Sequence, residues 1–210
     1  VYGAVLDAPA WLKNRDILER GTITAFQDHG SHLYTAGDYT KSYSPKKAKQ
    51  VTRQIVYIRP GTFIIFDRIE STNPAFKKKF ILHPMTIPEK QGNHWIVTNG
   101  NGKEGGRLFI QTLAPSAHAV ELFHGEKLYT YSNGKKFTPN HDFNLAPECR
   151  MEITATNPET FTYFLHVLTA TDATVDSVPL AIAKREGNEM IVEVEGKTLR
   201  FALDHPEFML

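Results

Sequence analysis

The sequence is poor in the residues that staple or tether a chain. A single cysteine, Cys149, in 210 residues excludes an internal disulfide framework, and without a second thiol or a tight Cys/His cluster it excludes a zinc ribbon as well. Charge of one sign is lacking: 24 Lys plus Arg against 23 Asp plus Glu make a weak overall field, so a charged partner must be met by a local patch and nothing points to nucleic acid. Long apolar runs are missing, with no stretch near the roughly 20 residues of a membrane span. The opening VYGAVLDAPAW has neither the basic start nor the apolar run of a signal peptide. The expectation is a soluble chain without a membrane or nucleic-acid partner, either a mature product or a piece of something longer. No nucleophile elbow, phosphate-binding loop, dinucleotide fingerprint or zincin helix occurs, and NGNGKEGG joins two strand candidates and opens no helix.

Helical periodicity is scarce too. In its place, short runs rich in Ile, Val, Phe, Tyr and Thr recur between Gly, Pro and Asn clusters, the spacing of an all-β sandwich. Strand readings fall on 21–26, 51–58, 62–69, 76–83, 94–98, 107–114, 118–124, 150–156, 161–169 and a closing pair within 189–203. They predict an all-β, large antiparallel β-sandwich of about a dozen strands, with residues 1–210 as one domain. The Tyr- and Lys-rich stretch 34–50 carries no strand reading, and in residues 1–16 a short helix and a surface strap are not distinguished.

The hairpin RQIVYIRPGTFIIFDRIE, residues 53–70, holds charges in an apolar setting. Alternation places Phe63, Ile65, Asp67 and Ile69 on one face of its second strand and Ile64, Phe66 and Arg68 on the other. A strand covered on both sides must pair its carboxylate. A two-residue loop sets Gln54 across from Asp67; a three-residue loop sets Arg53 there. Both registers stand at this point, and the ion pair Arg53–Asp67 is expected as a structural charge pair.

Nine histidines invite a metal site, yet only His29 and His32 lie close together, on an expected loop, and no metal is predicted. His83, His118, His124 and His166 sit in or at the ends of strands, where a neutral hydrogen-bonded ring is the common fate. FKKKF at 76–80 reads as an edge strand guarded by lysines, with a polyanion groove as the alternative. Tyr34, Tyr39 and Tyr43 accompany Asp38 in LYTAGDYTKSYS, and aromatic rings beside hydrogen-bonding groups suit the faces and hydroxyls of sugars.

The order GDYTKSYS, VTRQIVYIRPGTFIIFDRIES, FKKKFILHP, RLFIQTLAP, RMEITA and YFLHVLTATD resembles the C-terminal β region of the heparinase II/III-like polysaccharide lyases, over roughly residues 20–175. The resemblance implies a parent enzyme with an N-terminal α/α toroid that cleaves acidic, uronate-containing polysaccharides by β-elimination, and a periplasmic or extracellular location. It implies that this chain is the C-terminal part, with the toroid as missing partner and an acidic polysaccharide as ligand. It reads Arg53, Asp67, His83 and His166 as architecture, and a lyase module of this kind is expected to make its substrate contacts through Tyr34, Asp38, Tyr39, Lys46, Lys47 and Arg53. Zinc occurs in some relatives, but the His-x-His and His-Asn motifs that hold it are absent here, so no cofactor is expected. The isolated chain is expected to be inactive, and a non-catalytic carbohydrate-binding or structural sandwich is the alternative.

Overall fold

The structure, a computed structural model, describes residues 20–100, 102–130, 134–137, 146–204 and 208–209. The readings of residues 1–16 lie outside them. Strands alternate with short turns throughout, and the described helical segments are single 3-10 turns. A central eight-stranded sheet runs, in spatial order, β1 (Thr22–Asp28), β2 (His32–Asp38), β3 (Ala48–Ile58), β4 (Thr62–Ser71), β11 (Phe161–Asp172), β8 (Gly106–Ala114), β7 (His94–Asn99) and β6 (Glu89–Gln91). A three-stranded sheet is ordered β5 (Lys79–Leu82), β10 (Cys149–Ala155), β9 (His118–His124). A four-stranded sheet is ordered β12 (Ile182–Glu186), β13 (Glu189–Val194), β14 (Lys197–Ala202), β15 (Phe208–Met209). Every strand pairing is antiparallel, and the all-β reading holds.

The smaller sheets cover opposite faces of the large one, which explains why both faces of β4 are apolar. Ile64 and Phe66 share a core with Val56, Leu165, Val192, Leu199 and Phe201 of the four-stranded side. Ile65 and Ile69 pack with Phe80, Met151, Ile153 and Phe164 on the three-stranded side. Burying each such side chain contributes roughly 1.5–3 kcal/mol, so a strand lined on both faces is anchored twice.

The β3–β4 hairpin takes the three-residue loop: Ile58 pairs with Thr62, and Arg53 faces Asp67. The loop presses against β11, and a Cβ on Gly61 would lie 2.4 Å from the Ala170 carbonyl oxygen, an approach only glycine permits.

Several sequence readings are corrected. Residues 32–38 are strand β2, not loop; HLYTAGD buries His32, Tyr34 and Ala36, but the small Ala36 and Gly37 dilute the apolar alternation that marks a strand. The 76–83 reading shrinks to Lys79–Leu82. The short β6, β12 and β15 had no reading, being only three, five and two residues long.

Phe63 is 38% exposed and stacks on Tyr57 at 4.5 Å. Among the described residues, the three-stranded sheet reaches Ile65 and, through Phe80, Arg53 of β3, but no described strand covers β1 and β2 on that face. The row Phe26, Thr35, Ile55, Ile65 crosses the sheet in register, and at its outer end Phe26 is 63% exposed.

Candidate functional site

The uncovered face meets the edge of the three-stranded sheet along a groove of two adjoining hollows of about 240 and 410 Å3. They share Tyr43, Val51, Ile69 and Lys79.

One bank is the link from β2 to β3. Asp38 ends β2 and its Oδ1 accepts the Thr40 amide at 2.8 Å, a side-chain-closed turn. A 3-10 turn over Thr40–Ser42 follows. The Tyr39 amide donates to the Val51 carbonyl at 2.8 Å and the Val51 amide to Thr40 Oγ1 at 3.0 Å, which fastens the turn to β3. Tyr39 lies over Gly37, where a Cβ would stand 2.9 Å from the ring. Gly37 is in register with Arg53, and Arg53 with Asp67, so the ring is set beside the guanidinium.

Opposite runs the connection from β4 to β5. Thr72 donates its amide to the Lys47 carbonyl at 3.0 Å and its hydroxyl to the Lys46 carbonyl at 2.6 Å, holding this segment against the start of β3. Lys78 turns inward, is buried and donates to the Glu159 carbonyl; its pKa is lowered by desolvation. Phe76, Lys77 and Lys79 line the groove.

Arg53 is the floor. Its Nε and Nη2 donate to the two oxygens of Asp67 at 2.7 and 2.6 Å, and its Cζ lies 5.3 Å from the Phe80 ring centre. The Asp67 side chain is 8% exposed and the Arg53 side chain 40%, so the carboxylate is sealed while the guanidinium looks outward. Burial pushes the Asp67 carboxyl up, against the hydrogen bonds and charge of Arg53. The bond to Asp67 raises Arg53, with smaller contributions from Tyr39 and Tyr43. The pair is held as ions, because a carboxylate meeting two charge-assisted bonds in fork geometry is stabilised in its charged form. Lys49 pairs with Glu70 at 2.9 Å and Lys79 with Glu152, whereas Lys47 and Lys77 make no ion pair among the described residues. The groove is therefore cationic at its open end and edged by tyrosines.

Of the residues expected to touch substrate, Tyr39, Lys47 and Arg53 line the groove. Asp38 and Lys46 act beside it through the turn and carbonyl bonds above. Tyr34 leaves the set: it is 3% exposed, and its hydroxyl accepts Gln54 Nε2 at 2.9 Å inside the other core, where no ligand reaches. Lys77 and Lys79 joined the edge-strand reading, but only Lys79 lies in the strand, and both line the same hollow as Phe76 and Lys78. Their nearness to Tyr43 had no signal, because β5 belongs to a different sheet.

His166 lies under Arg53, stacked on Phe80 at 3.8 Å, with Nδ1 3.2 Å from Thr112 Oγ1. Burial and the Arg53 charge lower its pKa to about 3, so the ring is neutral. His29 and His32 stack at 4.7 Å, and among the described residues there is no group of three or more His, Cys, Asp or Glu that could hold a metal ion. No described helix is long and apolar enough to cross a membrane.

The architecture is one known from polysaccharide lyases. A solved heparan sulfate lyase HepC from Pedobacter heparinus superposes with a TM-score of 0.58 at 14% identity, covering 99% of this chain and 34% of that one. Two heparinase III structures match at 0.55 and 0.58, with 16% and 13% identity, covering 87% and 86% of this chain and 28% and 27% of theirs. The chain thus shares their fold and spans 27–34% of their length. No protein-family model and no curated protein sequence matches it.

Proposed function

We propose that the chain is the β-sandwich module of a heparinase-like polysaccharide lyase, and that its groove forms one wall of a cleft for an acidic, uronate-containing glycan. The observation that carries this reading is the groove's make-up. It joins the outward guanidinium of Arg53 to Lys47 and Lys77, which have no ion partner among the described residues, and is edged by Tyr39 and Tyr43 at 41% and 53% exposure. β-Elimination needs a group that neutralises the uronate carboxylate, a base for the C5 proton and an acid for the leaving oxygen. Arg53 is suited to neutralising the carboxylate, because two of its nitrogens are held by Asp67, which fixes the fork and leaves Nη1 available to a ligand. The base and acid are assigned to a further part of the polypeptide. A periplasmic or extracellular setting, where such glycans are met, belongs to the same proposal.

The test compares the isolated chain with a longer parent polypeptide on heparan sulfate, alginate and chondroitin sulfate, following the ultraviolet absorbance of the unsaturated product. The isolated chain should bind the glycan without turnover. Turnover by the isolated chain, or no glycan binding at low salt, overturns the reading.

A second reading, a packing role, is favoured by the bare face of β1 and β2, where Ile23 and Phe26 are 72% and 63% exposed. Apolar residues grouped on an edge strand mark an interaction surface. The two roles are compatible, since the face adjoins the groove at Arg53.

A further inference from the structure

The largest hollow among those described lies on the far side of β5, on the outer face of the three-stranded sheet, and encloses about 550 Å3. That is the size of a small-ligand site, and it is constructed by an ion trio centred on one buried carboxylate. Glu152, 7% exposed, accepts Arg150 Nε on Oε1 at 2.9 Å and Lys79 Nζ on Oε2. Arg150 spends its other nitrogens on the carbonyls of Leu128 and Thr130, at 2.6 and 3.2 Å, and lies over Phe123 at 4.6 Å. It therefore clamps the segment after β9 to the sheet. The Phe137 amide closes that segment by donating to the Tyr129 carbonyl at 2.9 Å. Tyr129 and Phe137 become walls, Phe137 being 48% exposed, with Ile81, 45% exposed, beside them and His83 at the rim.

The chemistry of this lining differs from that of the groove. Arg150 already donates from each of its three nitrogens, to Glu152 and to the carbonyls of Leu128 and Thr130, which holds the guanidinium against the sheet. Lys79 and Arg150 line the hollow together with ring surface and the Glu152 carboxylate, but both cations are paired with that carboxylate, whose oxygens still have lone pairs for hydroxyl donors. Ring faces plus hydroxyl acceptors suit a sugar ring and disfavour an acidic group.

We infer that this hollow is a second glycan subsite: it takes the apolar face of an uncharged pyranose ring against Tyr129 and Phe137, and that ring's hydroxyls on Glu152 and His83. Lys79 lines both this hollow and the groove, so one glycan chain crossing β5 occupies the two together, acidic units in the groove and a neutral unit here. The inference rests on the proposed function only for the identity of the polymer.

Calorimetric titration of heparan sulfate tetrasaccharide and octasaccharide, and of neutral chitotetraose, into the chain tests it. Phe137→Ala and Tyr129→Ala should weaken octasaccharide binding about tenfold with the melting temperature unchanged. They should abolish a weak chitotetraose affinity that does not respond to salt. Lys47→Ala with Lys77→Ala should instead weaken both charged probes and leave chitotetraose unaffected. If Phe137→Ala keeps octasaccharide affinity within about twofold of the parent chain, the subsite is overturned while the groove stands. If only the hollow variants lose binding, the groove reading fails and the subsite stands. Absence of binding by the unmodified chain to all three probes overturns both.

Discussion

Asp67 and Arg68 are neighbours in sequence and opposites in the fold. Asp67 points to the half-covered face, where Arg53 meets it with two hydrogen bonds of 2.7 and 2.6 Å. Arg68 points to the sealed face, is 1% exposed, and makes a single bond of 3.2 Å from Nε to Thr52 Oγ1, with Nη1 and Nη2 buried and without partners among the described residues. Desolvation lowers the pKa of Arg68, while its bond to Asp67 raises that of Arg53. On the face closed by a second sheet the charge of Asp204 acts on Arg68 only from a distance and is outweighed by desolvation. A face left open at β1 and β2 lets a cation keep its partner below and water, or a ligand, above. The groove opens where the covering sheet stops.

The largest effect expected from this contrast is at Arg53. Arg53→Ala leaves the Asp67 carboxylate buried and unpaired, and should cost about 3–5 kcal/mol, read as a fall in the denaturant midpoint. Asp67→Ala leaves only a partly exposed guanidinium and should cost less. The double variant should be milder than the sum of the two, since neither charge is then stranded. Additive costs would mean the residues do not act as a pair.

The same floor predicts an acid slope. His166 is neutral in the fold, its pKa about 3 against 6.5 for the free side chain, so between these values the unfolded chain binds the extra proton. The stability this contributes is complete above about pH 6.5 and is lost as pH falls toward 3, by at most ~1.4 kcal/mol per pH unit. His166→Phe should flatten this portion of the pH profile. An unchanged slope would show that other groups carry it.

The expected order reverses on the sealed face. Arg68→Leu removes a buried cation that holds one hydrogen bond and leaves an apolar side chain in its place; it should be neutral or stabilise by about 1 kcal/mol. A loss above about 2 kcal/mol would mean that the Nη atoms are satisfied after all, and the contrast with Arg53 would narrow.

How much of this was legible depends on whether a contact is local. Period-two burial in IVYI and FIIF, with a turn between them, specified the central hairpin, and the need to pair Asp67 left only two registers. Separation of the two cores was not legible: alternation says that both faces of β4 are covered but not by what. The groove was half legible. Tyr39, Lys47 and Arg53 lie within fifteen residues of one another, on a turn and the strand it feeds. Their companions Lys77 and Lys79 arrive from the lead-in and first residue of a strand whose partner is β10, about seventy residues further on, and no pattern in FKKKF shows which sheet it joins. Tyr34 was misjudged because tyrosine fits a sugar platform and a core equally well, and only register decides between them. The Arg150–Glu152–Lys79 trio was invisible for the same reason, since Lys79 reaches it from a neighbouring strand.

The smallest effect on stability should come from Lys47 and Lys77, which separates groove from scaffold. Both are exposed and without ion partners among the described residues, so Lys47→Ala and Lys77→Ala should move the folding free energy by no more than about 0.5 kcal/mol. Binding should respond far more. Affinity for heparan sulfate should fall in each variant and further in the double variant, and its salt dependence should become shallower as each cation is removed, because every lysine that neutralises a glycan charge adds to the ions released on binding. Arg53→Lys gives the complementary result: it keeps the charge but loses the fork that holds Asp67, so both stability and affinity should drop. If the two lysines can be removed with affinity and salt dependence intact, the cations at the mouth of the groove are solvated surface and only the buried pair beneath them matters.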